Sequence, residues 1–200
     1  MKFNINGPLF QFLGTLTDFI FLNLIFLVTC IPVITIGPAI SALFSITMRE
    51  ARGEHGYIVR PYLKAFKDNF GSSLILFLIY FAAGAVLFFN FGFWLNLNSI
   101  LGNVILVILA FCAVSYVLSL IYVFALNARF QNTIRQTMKN SLLLALSSPK
   151  QTGILLVILL LTVLFLYLFQ AFRIFLVIFG FGFLAYCASF PFTKVFEAYE

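Results

Sequence analysis

Residues 100–126 read ILGNVILVILAFCAVSYVLSLIYVFAL, 27 residues without one charged side chain. Wound into an α-helix at 1.5 Å per residue, the stretch is about 40 Å long, more than the ~30 Å hydrocarbon of a bilayer. Working outward, the uncharged block extends back to residue 71, and two similar blocks at 13–48 and 151–192 contain only Asp18 and Arg173. Helices satisfy their own backbone hydrogen bonds, which lipid cannot do, so the pattern predicts an all-α polytopic membrane helix bundle. The composition agrees: 63% hydrophobic and 9% charged residues with a mean hydropathy of +1.11, against about 25% charged residues in soluble domains. A soluble fold is excluded, and residues 1–200 read as a single integral membrane domain.

Charge sets the expected topology. Arg49, Arg52, Arg60, Lys64 and Lys67 lie between the first two blocks, and Arg129, Arg135, Lys139 and Lys150 between the second and third. The connector Trp94 to Ser99 has no charge and the turn near Gln170 to Arg173 has one. The positive-inside rule then places the long charged connectors and the C-terminus, after Lys194, in the cytoplasm. Spans are expected at about Ser72–Phe93, Ile100–Leu126, Thr152–Phe169 and Ile174–Phe190. The long second of these should project toward Asn127 and Arg129 as a rigid extension.

The first block is ambiguous. A helix from about Leu13 to Cys30 is interrupted by Ile31-Pro32-Val33-Ile34-Thr35-Ile36-Gly37-Pro38 before the apolar run Ala39 to Met48. Proline strains a continuing helix, so the segment reads as a turn or unwound break. Two readings stand: six crossings with Lys2 inside, or five crossings plus a re-entrant helix with Lys2 outside. Met1 to Pro8 does not read as a cleavable signal.

Two amphipathic helices are expected in the cytoplasmic connectors. Val59, Tyr62, Leu63, Phe66 and Phe70 recur at helical spacing, with Arg60, Lys64, Lys67 and Asp68 on the other side. Phe130, Ile134, Met138 and Leu142 follow one another four apart, with Arg135 and Lys139 on another face. The order amphipathic helix, span, short turn, span thus occurs twice, as a parallel repeat or as convergent membrane patterning.

No catalytic, cofactor or metal constellation appears, so no enzyme activity is expected. His55 is the one histidine, and no HExxH, P-loop, nucleophile elbow or dinucleotide fingerprint accompanies it. Cys30, Cys112 and Cys187 lack CxxC spacing and read as free, buried thiols. Asp18 and, about one turn on, Asn23 are candidate intramembrane polar contacts, for helix packing or for ion or proton coupling. Ser115, Tyr116, Ser119 and Tyr122, with Cys112, share a helical sector that either packs helices or lines a ligand path. Gly180, Gly182, Tyr186 and Ser189 admit the same two readings. The basic connectors favour lipid headgroups or protein docking over nucleic acid, with Arg60, Lys64, Lys67, Arg135 and Lys139 as the candidate contacts. Trp94 and Tyr57 are candidate interface anchors.

Residues Asn23 to Ala39, with their Pro-Val-Ile-Thr-Ile-Gly run, followed by Gly56-Tyr57 and Ala65-Phe66-Lys67-Asp68-Asn69-Phe70, resemble the YesL family of small bacterial membrane proteins. The C-terminal part is similar mainly in length and hydropathy. The resemblance implies residence in the bacterial cytoplasmic membrane and an accessory or regulatory role linked to carbohydrate ABC uptake or its sensory system. An ABC permease or a membrane sensor kinase would be the partner, beside membrane lipids. It transfers no catalytic residue. The competing expectation is a small transporter or channel-like protein, with a hydrated route near Asp18, Asn23, Ser115, Tyr116, Ser119 and Tyr122.

Overall fold

The computed structural model describes residues 8–54, 56–96 and 99–199, with side chains from Thr17 onward. Lys2, His55 and the Leu97-Asn98 tip lie outside the described residues. The order is α1 (Pro8–Cys30), a 3₁₀ turn (Val33–Thr35), α2 (Ile36–Ala51), α3 (Val59–Asp68), α4 (Phe70–Leu95) and α5 (Ile100–Arg129). Then follow α6 (Ile134–Ser147), α7 (Pro149–Leu168), α8 (Gln170–Phe175), a π-helical turn (Leu176–Gly180) and α9 (Phe181–Glu197). No strand occurs among the described residues. Four helical stretches are long and apolar enough to cross a bilayer: α4, α5, α7 and the continuous run Gln170–Glu197. The protein is an all-α, multi-spanning integral membrane bundle.

The short helix α2 is the hub. Gly37, Pro38, Ala39, Ser41, Ala42, Leu43, Ile46, Thr47 and Met48 are all buried, and α2 packs against α1, α3, α4, α5 and α9. Small residues make this possible, because they let helix backbones approach in an environment where hydrophobicity does not drive association. Gly37 is the extreme case. A Cβ there would lie 2.6 Å from the Ser73 carbonyl oxygen and 2.7 Å from the Phe77 Cβ. The Pro32 to Pro38 segment does break the helix, and Thr35 closes it: its Oγ1 donates to the carbonyls of Thr29 and Pro32, at 2.6 Å each.

Helix α5 continues to Arg129 as expected, and its end is packed into the bundle: Tyr122 to Asn127 are all buried, enclosed by α2, α6 and α9. Its outer two-thirds, by contrast, carry exposed Val104, Val107, Ile108 and Phe111. The most buried positions of α6 are Thr137, Ser141, Leu144 and Ala145; beside them Ile134 and Met138 of the predicted apolar line are half-buried against the α4–α5 cluster. Phe130 precedes the helix, whose start is set by a capping box between Thr133 and Gln136. The last span does not stop at Phe190; it continues through Pro191 to Glu197. Pro191 removes one helical hydrogen bond, and its ring is buried in the bundle.

Candidate functional site: the polar contacts inside the bundle

An amide or hydroxyl in a long apolar run must find a partner when buried away from water. Asn23 does so across the bundle. Its side chain is 0% exposed; Nδ2 donates to the Val177 carbonyl at 2.6 Å and reaches that of Leu176 at 3.4 Å. Its Oδ1 accepts the Gly182 backbone N–H at 3.1 Å. The π-helical turn Leu176–Gly180 disturbs the regular i to i−4 ladder, and the Asn23 amide bridges carbonyls at the start of that turn and an N–H just beyond it.

Hydroxyls join the other helices. Where α2, α4 and α5 meet, Asn127 Nδ2 donates to Ser73 Oγ at 2.8 Å, Ser73 Oγ to Ser41 Oγ at 2.9 Å, and Ser41 Oγ to the Phe124 carbonyl at 3.3 Å. Between α4, α5 and α6, Ser119 shares hydrogen bonds with Tyr80 and, at 2.6 Å, with Ser141. Tyr116 donates to the Tyr80 carbonyl at 3.0 Å, and Gly84 leaves room for its ring. Tyr122 and Thr152 pair at 2.9 Å between α5 and α7, and Thr152 donates back to Ala145 of α6 at 2.8 Å. Ser189 of α9 donates to Thr47 of α2 at 2.8 Å. Tyr62 of α3 and Thr29 of α1 lie 2.7 Å apart, hydroxyl to hydroxyl. Burial pushes the Tyr62 phenol well above its ordinary range, which the Thr29 bond opposes, so Tyr62 stays neutral.

Of the predicted intramembrane contacts, Asn23, Tyr116, Ser119 and Tyr122 therefore cross-link helices. Ser115 bonds only the Phe111 carbonyl of its own helix, and Cys112 is exposed. Asp18 and Asn23 do not share one environment. Asp18 is exposed and within electrostatic reach of Glu50 near the end of α2. Arg60, Lys64 and Lys67 are exposed on α3, as are Arg135 and Lys139 on α6. Gly182 receives the Asn23 contact, while Gly180 lies against the Leu176 side chain. The partners that sequence reading missed are Ser41, Thr47, Ser73, Asn127, Ser141 and Thr152. Each is a small polar residue on or beside an apolar helix.

In the connector between α2 and α3, Arg52 Nε donates to Glu54 Oε1 at 2.9 Å, and Arg49 Nη2 to the Tyr57 carbonyl at 3.0 Å. The turn between Arg52 and Glu54 uses Gly53 at φ 79°, a left-handed conformation that favours glycine. A cavity of about 510 Å³ opens between the end of α5, α6 and the end of α9, with Leu126, Phe130, Asn140, Leu143 and Phe196 among its walls. Tyr199 at its edge donates to Ser147 at 2.9 Å. Among the described residues, no group of His, Cys, Asp and Glu side chains could hold a metal ion.

Residues 19–91, a little over a third of the chain, match the family model DUF624, described as a protein of unknown function. This segment is similar to that family, as its resemblance to YesL proteins implies. It runs from Phe19 of α1 through the break, α2 and α3 to Phe91 of α4, and so contains Asn23, Thr29, Gly37, Ser41, Tyr62, Ser73 and Tyr80. Thr29 pairs with Tyr62 and Ser73 with Ser41 inside the segment. Asn23, Ser41, Ser73 and Tyr80 also reach Val177, Gly182, Phe124, Asn127 and Ser119 outside it, so the matched part closes several of its polar contacts on the remainder of the chain. Neither a curated protein nor a solved structure matches the chain.

Proposed function

We propose that this protein is a membrane accessory or regulatory protein of a carbohydrate ABC uptake system or its sensory system, with no catalytic activity of its own. One observation supports it above the others: of the six residues expected along a solute route, Asn23, Tyr116, Ser119 and Tyr122 spend their polar atoms on holding one helix to another, while Asp18 is exposed and Ser115 bonds only its own helix. Such contacts fix a scaffold, and hydrogen bonds of this kind in membrane bundles contribute about 0.6–2 kcal/mol each. The exposed cations Arg60, Lys64 and Lys67 of α3 offer the partner a docking surface, since Arg60 and Lys64 stand one turn apart.

The same reading places α4, α5, α7 and the Gln170–Glu197 run as four crossings, with the basic connectors and both termini in the cytoplasm. The α1–α2 hairpin enters and leaves from that side. Gly37 lies against Ser73 and Phe77, and from Phe77 to Leu95 is about 27 Å of helix at 1.5 Å per residue. Helix α2, with 16 residues, is about 24 Å long, short of the ~30 Å hydrocarbon. The hairpin is thus a half-depth element; Ile31 to Ile34 at its break are exposed, and the Thr35 hydroxyl takes up the carbonyls of Thr29 and Pro32 there.

Affinity capture from the native membrane after mild crosslinking tests the accessory role. A permease or sensor kinase recovered with the chain, and recovered less with Arg60→Gln/Lys64→Gln while insertion is unchanged, is the expected result. No specific partner, together with solute flux in vesicles holding this protein alone, would overturn it in favour of transport.

A further inference from the structure

The outward face of α6 carries a second message. Its buried face is Thr137, Ser141, Leu144 and Ala145. Away from them, Arg135, Lys139, Leu143 (also at the edge of the cavity) and Leu146 are exposed, as is Lys150 in the first turn of α7. Leu143 is 52% and Leu146 62% exposed. The stripe therefore interleaves three cations with two bare leucines. Residues 69–196 contain neither Asp nor Glu, and none of the three cations forms an ion pair with a carboxylate among the described residues.

Helix α6 is held by its ends. Four residues separate it from α5, and Ser148 alone separates it from α7, so two membrane-spanning helices fix it at the bilayer surface. There a leucine pair facing water would be unfavourable, whereas the interfacial zone takes up leucine side chains and the adjoining headgroups offer phosphates to Lys and Arg. Helix α3 differs, because its cations have Asp68 on the same helix and Glu54 nearby in the connector.

From this stripe we infer that α6 is an anionic-phospholipid contact of the cytoplasmic leaflet, with Arg135, Lys139 and Lys150 on the phosphates and Leu143 and Leu146 in the acyl boundary. The inference rests on the topology proposed above and not on the accessory role. Nucleic acid would not call for the leucines, and the acid-free cationic surface matches the negative potential of the cytoplasmic leaflet.

The test uses the chain's single tryptophan, Trp94. With Trp94→Phe and Leu143→Trp, the full chain is placed in phosphatidylcholine nanodiscs containing a minor fraction of brominated phosphatidylglycerol or of brominated phosphatidylcholine. Quenching roughly twofold or more stronger by the brominated anionic lipid is expected. That excess should vanish with Arg135→Gln/Lys139→Gln/Lys150→Gln and persist with Arg135→Lys. Equal quenching by the two lipids overturns the inference, as does no quenching by either, the result if the stripe faces water and serves a protein. Leu146→Trp provides a second reporter should Leu143→Trp fail to fold. No partner protein enters the assay, so its outcome is independent of the accessory role.

Discussion

Asn23 of α1 and Gly182 of α9 are 159 residues apart in sequence and joined by a hydrogen bond of 3.1 Å from the Gly182 N–H to the Asn23 Oδ1. The same side chain donates to the Val177 carbonyl inside the π-helical turn. An amide is suited to this position because one planar group offers a donor and an acceptor. The side chain belongs to the matched family segment and the backbone groups do not, so the contact ties the hairpin to the last span.

Asn23→Leu should destabilise the protein by about 1–3 kcal/mol, the cost of leaving a buried N–H and carbonyl without partners. Thermal unfolding in mild detergent, with amide exchange at Gly182 as the local probe, measures it. The exchange should quicken around Gly182 more than in α4. An unchanged midpoint would show that the π-helical turn needs no such clip.

Gly37→Ala should also destabilise, by about 1–3 kcal/mol, because overpacking forces backbone shifts. The new methyl would meet the Ser73 carbonyl and the Phe77 Cβ at under 3 Å. Gly92→Ala is the control, since nothing lies within 4 Å of a Cβ there; it should be neutral or slightly stabilising through helix propensity. Equal melting of the two variants would contradict the close approach of α2 to α4.

The spans were legible in the sequence, and the buried faces only in part. Charge-free length located α4, α5 and α7 to within a few residues, because a single charge at bilayer depth is costly. On α6 hydropathy found only part of the inward face, since Ile134 and Met138 pack inward but the most buried positions include Thr137 and Ser141. In water the apolar face is the buried one, but in a bilayer the surroundings are apolar too, so residues such as Phe111 and Val107 stay outside while Ser141 and Thr137 go in. Small hydroxyl residues permit close approach and bond across it. Asn23 was visible as an isolated amide. Its partner was not, because a π-helical turn in Leu176–Gly180 has no residue signature and its freed groups are backbone.

The connector before α3 carries the clearest pH dependence. The Arg52 hydrogen bond and charge hold the Glu54 carboxyl below its ordinary range, with Arg129 and Arg49 adding to the effect against slight desolvation. A lowered folded-state value means that the stabilisation is present above the ordinary glutamate range and is lost as pH falls through the lowered value. The Glu54 carboxyl is fully exposed, so the effect is small and local. Carboxylate-resolved NMR titration should show the low midpoint, and Arg52→Gln should return it to the ordinary range. A midpoint indifferent to Arg52→Gln would place the cause elsewhere.

The depth of the α1–α2 hairpin is read most directly by thiol accessibility at its tip. With Cys30, Cys112 and Cys187 replaced by serine, Ile34→Cys and, at the α4–α5 turn, Asn96→Cys are exposed in intact cells to a membrane-impermeant maleimide. A half-depth hairpin predicts that Asn96→Cys is labelled and Ile34→Cys is not, until detergent opens the membrane. Labelling of Ile34→Cys from outside as readily as Asn96→Cys would make α1 and α2 full crossings and contradict the proposed topology.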